Sequence, residues 1–211
     1  MSLNASTLYS YMLENSSLSK RIIGLTGGIG SGKTAVSNYL AQQHKLPVLD
    51  ADIYAREAVQ LGSPILSNIF ERHGATVRLP DGTLNRKRLG EIVFNNLVER
   101  QWLEQQIHPY VRDRFHSELN TLEGSTVVLV VPLLFEAGMT DLVTEIWVVS
   151  CSPEQQLNRL MERDGLSFEQ AQARLNNQLP LQEKVARADV VLDNSSTRET
   201  LFKQIDLALL Y

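Results

Sequence analysis

Residues 27–34 read Gly-Gly-Ile-Gly-Ser-Gly-Lys-Thr and fit the pattern Gly-x4-Gly-Lys-[Ser/Thr]. Each residue type has a task at a polyphosphate. Glycines let consecutive backbone N–H groups converge on phosphate oxygens. Lys33 brings a cation to the β- and γ-phosphates, and the Thr34 hydroxyl reaches a Mg2+ ion. The pattern therefore points to a nucleoside triphosphate with Mg2+. A second chemical feature is the carboxylate pair Asp50 and Asp52, at the end of the apolar run Pro47-Val48-Leu49. A carboxylate there can accept the proton of an attacking hydroxyl or hold a metal-bound water. By spacing, one of the pair faces the site while the other caps the following helix, and Asp52 is favoured for the site.

These residues need a strand and a helix to hold them. Residues 21–26 form a short, mostly apolar run, and residues 34–41 place apolar side chains at helical spacing. The loop thus sits between a strand and a helix whose N-terminus adds its own attraction for anions. Further strands are expected near 47–50, 126–131, 144–149 and 189–193, and helices over 33–44, 52–60, 153–163, 167–178 and 197–210. The runs at 126–131 and 144–149 are apolar and β-branched, as in a parallel sheet covered on both faces. Alternation of this kind predicts an α/β doubly wound fold.

Two segments stand out. Residues 62–123 contain no good strand and read as helices, punctuated by Pro64, Asp81-Gly82 and Pro109. An insertion rising from the carboxyl ends of the strands would wall a second substrate pocket. Residues 159–187 carry Arg159, Arg163, Arg174, Lys184 and Arg187 around Gly165 and Pro180. They read either as a basic lid over phosphates or as a solvated charged face, since glutamates are interspersed.

Composition sets outer limits. The 211 residues suffice for one good core. The net charge of −4 makes nucleic acid an unexpected main partner. The single cysteine, Cys151, excludes an intrachain disulfide, which suits a reducing cytoplasm, and it reads as a buried small residue rather than a nucleophile. No apolar stretch is long enough for a membrane span. Residues 1–19 lack the features of a secretion signal and are expected to be an N-terminal extension, either a disordered arm or a short surface helix.

Absences narrow the reaction. There is no Asn-Lys-x-Asp guanine-reading motif, no Asp-x-x-Gly switch and no Leu-Ser-Gly-Gly-Gln segment, so a GTPase or a transporter ATPase does not fit. The third strand ends in Val131-Pro132-Leu133-Leu134-Phe135-Glu136, without the aspartate of a switch ATPase. Small-molecule kinase chemistry remains, beside a non-catalytic nucleotide-sensing module, against which the retained Lys33, Thr34 and Asp52 speak.

At this point an ordered set of segments becomes recognisable. They are Gly24 to Lys33; Asp50-Ala51-Asp52 with Ala55-Arg56; Asp81 to Arg86 with Leu89-Gly90 and Val93-Phe94; Leu103-Glu104 with His108-Pro109; Pro132 to Glu136; Arg159 with Arg163-Asp164; and Ala188 to Asn194. Over about residues 20–195 the chain resembles the dephospho-CoA kinase family. The resemblance implies transfer of the ATP γ-phosphoryl group to the ribose 3′-hydroxyl of dephospho-CoA, the last step of coenzyme A biosynthesis. It implies a P-loop fold with strand order 2-3-1-4-5, a nucleotide-binding core over 20–60 and 124–211, a lid at about 159–187, and a helical CoA-binding insertion over 61–123.

Site residues follow from the same resemblance. Gly28, Ile29, Gly30, Ser31, Gly32, Lys33, Thr34, Ala35 and Asn194 are expected at ATP. Lys33, Asp52, Arg159 and Arg163 are expected in catalysis. Asp52, Arg86, His108, Leu133, Leu134 and Glu136 are expected at the acceptor, and Thr34 at Mg2+. ATP and dephospho-CoA are the expected partners, with no nucleic acid or membrane, for a cytoplasmic monomer or small homo-oligomer. The chain departs from the family where Ala35 replaces a common Ser or Thr and Ser196 a frequent Gly. Another small-molecule kinase, of a nucleoside or sugar, is the alternative.

Overall fold

The computed structural model describes residues 20–211, so the expected N-terminal extension lies outside the described residues. Five strands form one parallel sheet: β1 (Arg21–Gly27), β2 (Val48–Asp50), β3 (Thr126–Val130), β4 (Glu145–Ser150) and β5 (Val190–Asp193). Their spatial order is β2-β3-β1-β4-β5, as the resemblance implied. The register pairs Ile23 with Val128, and Leu25 with Trp147, so the loop after β1 emerges beside its neighbours' carboxyl ends.

The two-residue period of β3 divides the core. Val128 and Val130 pack with Ile23, Leu25 and Trp147 under helices α1 (Lys33–Gln43) and α9 (Arg198–Leu209). Val127 and Leu129 face the other way and pack with Phe115 and Val111 of α5 (Leu97–Thr121) and Tyr54 of α2 (Ala51–Glu57). Both faces are dry, which is why β3 and β4 read as continuous apolar runs.

Between β2 and β3 the chain is helical, with α2 followed by α3 (Pro64–His73), a 3-10 turn at Gly74–Val77, α4 (Arg86–Asn95) and α5. Ser63 caps α3 with its hydroxyl on the Ile65 N–H at 3.1 Å, and Pro64 occupies the first turn, where its missing N–H costs nothing. Asp81 turns the chain by accepting from the Thr83 N–H and hydroxyl. The expected absence of a strand holds among the described residues, apart from a single antiparallel bridge between Arg78 and Leu84. Ala58, Val59, Leu66, Ile69, Val77, Leu84 and Leu89 give this region a core of its own.

Pro109 does not punctuate, contrary to expectation. It lies inside α5, which runs on to Thr121. A mid-helix proline removes a hydrogen bond and costs about 3 kcal/mol. The next turns bury Val111 and Phe115 against β3, which outweighs that cost.

After β4 come α6 (Pro153–Asp164), α7 (Phe168–Asn176) and the short α8 (Leu181–Val185). Reciprocal side-chain caps open α6 at Ser152 with Gln155 and α7 at Ser167 with Gln170. The helix expected over 167–178 ends two residues early, which leaves Gln178 outside it.

Phe115 is fully buried and meets the Tyr54 ring edge-on at 5.2 Å. Phe115→Ala is expected to lower unfolding stability by about 3–5 kcal/mol, read as a lower denaturant midpoint at unchanged slope. A loss below about 1 kcal/mol would contradict this account of how α5 is held.

Candidate functional site

A cavity of about 750 Å3 opens at the carboxyl ends of β1, β2 and β3, where open parallel sheets bind ligands. Ile29, Gly30, Gly32, Lys33, Thr34, Asp52, Leu133, Arg159 and Arg163 line it. The sequence calls divided these nine among ATP, catalysis and the acceptor, and the fold brings them to one cavity.

The loop is held from behind and left bare in front. Gln156 donates its Nε2–H to the Ile29 carbonyl at 2.7 Å, and Asn194 donates its Nδ2–H to the Ser31 carbonyl at 2.8 Å. Arg159 reaches the Gly30 carbonyl at 3.3 Å and the Asn194 carbonyl at 3.1 Å. Facing the cavity, the N–H groups of Gly30, Gly32, Lys33 and Thr34 have no hydrogen-bond partner among the described residues. They open α1, so the helix dipole points the same way. Space forbids a side chain at Gly27 and Gly30, where a Cβ would strike the backbone carbonyls of Val149 and Gln156, and at two more glycines it would displace a clamp. A Cβ on Gly28 would lie 2.1 Å from Gln156 Nε2, and one on Gly32, whose φ is +103°, would lie 2.2 Å from Asn194 Nδ2.

Lys33 is folded back on the loop, with Nζ 3.0 Å from the Gly27 carbonyl and 2.9 Å from that of Gly28. Burial pulls its pKa down to about 8, the nearby Lys184 charge adds to the fall, and Asp52 opposes it. Thr34 is exposed in the first turn of α1. Ser31 is fully buried, so the loop presents its backbone rather than its hydroxyl. The Ala35 N–H is spent on the Gly32 carbonyl at 2.9 Å, and Ala35 and Gly28 do not line the cavity.

The two aspartates divide as their spacing predicted. Asp50 caps α2, its Oδ1 accepting the Asp52 N–H at 2.8 Å. Burial raises the Asp50 pKa, and that hydrogen bond opposes the rise. Asp52 is exposed and lines both the main cavity and a neighbouring one of about 380 Å3, formed by Ala55, Arg56, Arg86, Leu89 and Leu103 among others. Arg163 lines the main cavity while gripping its neighbour Asp164 at 2.8 and 3.0 Å. Arg174 shares Asp164 at 2.7 Å. These two arginines hold the Asp164 carboxyl below its usual range.

The other expected residues scatter. Arg86 lies in the 380 Å3 cavity and donates to the Arg56 carbonyl at 3.1 Å. Leu133 lines the main cavity and also a groove of about 490 Å3, where Glu136 joins it. Leu134 is a correction. It is fully buried among Val131, Met139 and Leu142, because the turn after β3 brings it back onto the core while Leu133 stays partly exposed, and it cannot meet a ligand. His108 lines none of these three cavities, and burial lowers its pKa. Asn194 neither lines the main cavity nor caps a helix; Thr197 caps α9. It acts as a strut of the loop. Cys151 is buried, and burial raises its pKa, as a packed thiol requires.

Sequence reasoning gave no role to Gln156 or Gln178, whose side chains both touch Ile29. It counted Lys184 only as one charge of a basic segment. Lys184 is fully buried and pairs with Glu136 at 2.8 Å.

Known proteins resemble this chain in sequence and fold. The family model for dephospho-CoA kinase matches residues 21–199. A dephospho-CoA kinase of Trichormus variabilis is 64% identical over 192 residues, which cover 91% of this chain and 98% of that protein. A crystal structure from Thermus thermophilus superposes with a TM-score of 0.78 at 35% identity, covering 91% of this chain and 97% of that one. The dephospho-CoA kinase from Campylobacter jejuni superposes with a TM-score of 0.68 at 28% identity, covering 90% and 96%.

The lowered pKa of Lys33 has a measurable consequence. A triphosphate in the loop favours the charged ammonium and raises that pKa, so binding takes up a proton wherever the free lysine is neutral. Titration calorimetry with ATP in buffers of different ionisation enthalpy should show an uptake at pH 9 that exceeds that at pH 6.5 by nearly one proton. Affinity should fall as the pH rises through about 8. Equal proton counts at the two pH values would contradict the assignment.

Proposed function

The chain belongs to the dephospho-CoA kinase family, and from that membership we propose how its residues divide the work. The enzyme transfers the γ-phosphoryl group of ATP to the ribose 3′-hydroxyl of dephospho-CoA, giving CoA and ADP. Our reading assigns the main cavity to the ATP phosphates and the reacting hydroxyl. The 380 Å3 cavity and the 490 Å3 groove take the rest of the acceptor. One observation carries this reading: Asp52 belongs to both the phosphate cavity and the helix-lined one, while Asp50 is spent on a cap.

The bare N–H groups of Gly30 to Thr34 hold the phosphates. Lys33 leaves the loop carbonyls and follows negative charge onto the transferred group. Asp52 accepts the proton of the attacking hydroxyl and orients it. Arg163 supplies positive charge to the equatorial oxygens from the opposite wall, and Arg159 adds charge from the loop side, where it holds the Gly30 and Asn194 carbonyls; such stabilisation is the larger part of catalysis in this chemistry. Arg163 exchanges Asp164 for phosphate as it does so, and Arg174 keeps Asp164 paired. Leu133 and Glu136 border the acceptor, and Arg86 stands at its far end. The segment from Arg159 to Arg187 serves as the lid and residues 61–123 as the acceptor-binding part, supported by their position on either side of the cavity.

The oxygen donors present, the Thr34 hydroxyl and the Asp52 carboxylate, fit Mg2+, which prefers oxygen and keeps several waters. Among the described residues no cluster of three or more His, Cys, Asp or Glu side chains forms a ligand cage, which suits an ion shared with phosphates. When bound, held by the Thr34 hydroxyl with Asp52 nearby, Mg2+ would supply charge neutralisation to the ATP phosphates. No helix of the described residues is long and apolar enough to cross a membrane. We place the enzyme in the cytoplasm, on its single cysteine and its substrates.

Incubation with ATP, Mg2+ and dephospho-CoA should yield CoA and ADP in equal amounts; a preference for a nucleoside or sugar acceptor would contradict the reading. Asp52→Asn should retain ATP binding and lower turnover by at least about a hundredfold. A change confined to KM for dephospho-CoA would show that Asp52 only binds the acceptor. Lys33→Ala should fold normally and lose nearly all turnover, and unchanged turnover would remove its role.

A further inference from the structure

Two side chains outside these assignments, Gln178 and Lys184, flank the place where the loop, the groove and the end of the basic segment come together. Gln178 accepts the Ile29 N–H on its Oε1 at 2.9 Å. Ile29, Leu133 and Gln178 line both the main cavity and the 490 Å3 groove, so they form the wall between the two. The next residue, Leu179, donates its N–H to Glu136 Oε1 at 3.0 Å. Lys184 Nζ donates to that same oxygen at 2.8 Å and to the Pro132 carbonyl at 3.1 Å. The Pro132 carbonyl also takes the hydroxyl of Thr26, directly before the loop, at 3.2 Å. The Lys184 N–H closes the turn on the Pro180 carbonyl at 3.2 Å. The turn from Gln178 to Lys184 is thus fastened at both its ends to the segment 132–136 that follows β3, and to the loop through Gln178.

Stability is a weak reason for this arrangement. The Lys184 side chain is fully enclosed and that of Glu136 a quarter exposed. Desolvation offsets much of the attraction in such a pair, and apolar replacements of similar size often leave stability unchanged. A buried pair does fix geometry. Phosphoryl transfer depends on geometry, since a misplacement of about 1 Å can cost about a hundredfold in rate.

We propose that Lys184 is a positioning residue for phosphoryl transfer. Through Glu136 it fixes the turn that seats Gln178 on Ile29, and so holds the wall between donor and acceptor cavities at the spacing that transfer needs. The proposal rests on the division of the cavities given above. The Lys184 charge is also close enough to help depress the pKa of Lys33, which places it within electrostatic reach of the transferred group.

The test compares wild type, Lys184→Met, Gln178→Ala and the double variant, following CoA formation and ADP release separately in the same reactions. Lys184→Met should keep its circular dichroism spectrum. Its kcat for CoA should fall at least about tenfold with KM for ATP changed less than about threefold, and it should release ADP without matching CoA. Gln178→Ala should show the same loss of matching. The double variant should be no worse than Lys184→Met, because the two act in series. Single-variant kcat values within about twofold of wild type, or losses that multiply in the double variant, would overturn the proposal. If Lys184→Met does not fold, Gln178→Ala decides: unchanged kcat with equal ADP and CoA overturns it. A wild-type enzyme that makes no CoA would instead remove the division of the cavities, a failure visible before any variant is read.

Discussion

A phosphate-binding loop must hold bare N–H groups toward a polyanion and stay rigid while they are bare. Unpaired backbone donors are costly, so something else must fix the loop. Here the carbonyls do it. Ile29, Gly30 and Ser31 are gripped from behind by Gln156, Arg159 and Asn194, which come from α6 and from the end of β5. The glycines follow from these clamps as much as from the phosphate. A Cβ on Gly28 or Gly32 would displace the Gln156 or Asn194 amide, and one on Gly27 or Gly30 would strike the backbone carbonyl of Val149 or Gln156. Lys33 completes the loop by lying on its first two carbonyls, and its partial desolvation leaves a cation that gains by moving to a phosphate.

The rest of the chain sets what stands opposite that loop. Parallel pairing of β1 with β3 and of β3 with β2 brings the end of β2 alongside the site. One carboxylate of the Asp50–Asp52 pair starts α2, and the other is thereby turned toward the cavity. The helices that follow need only a small core of their own, from Ala58 to Leu89, to form a second wall. The third wall arrives after β4, and its basic residues split between the loop carbonyls, the Asp164 carboxylate and the buried pair with Glu136.

The sheet was legible in the sequence because its signals are local. The runs at β1, β3 and β4 are apolar in every turn of the pleat, and capping residues mark the starts of α3, α6 and α7. The Asp50 and Asp52 division was legible too, since a cap and a free carboxylate two residues apart obey a spacing rule. What escaped depended on long-range packing. Nothing in the residues around Lys184 distinguishes a solvated lysine from one enclosed against the end of β3. Gln156 and Gln178 carry no charge pattern or motif, yet both hold Ile29. Leu134 was mistaken for a ligand contact because adjacent leucines look alike in sequence, and only the turn after Pro132 decides which one points inward. Pro109 marked a break that packing of Val111 and Phe115 overrides.

The central claim is that one cleft holds the donor phosphates on the loop and the acceptor hydroxyl on Asp52. A crystal structure with a non-hydrolysable ATP analogue and dephospho-CoA tests it most directly. The account predicts the ribose 3′-hydroxyl within hydrogen-bond reach of an Asp52 oxygen, about 2.6–3.2 Å, in line with the γ-phosphorus, with Lys33 Nζ moved from the loop carbonyls to phosphate oxygens. A 3′-hydroxyl more than about 5 Å from Asp52, with both ligands bound and Lys33 still on the Gly27 and Gly28 carbonyls, would contradict it.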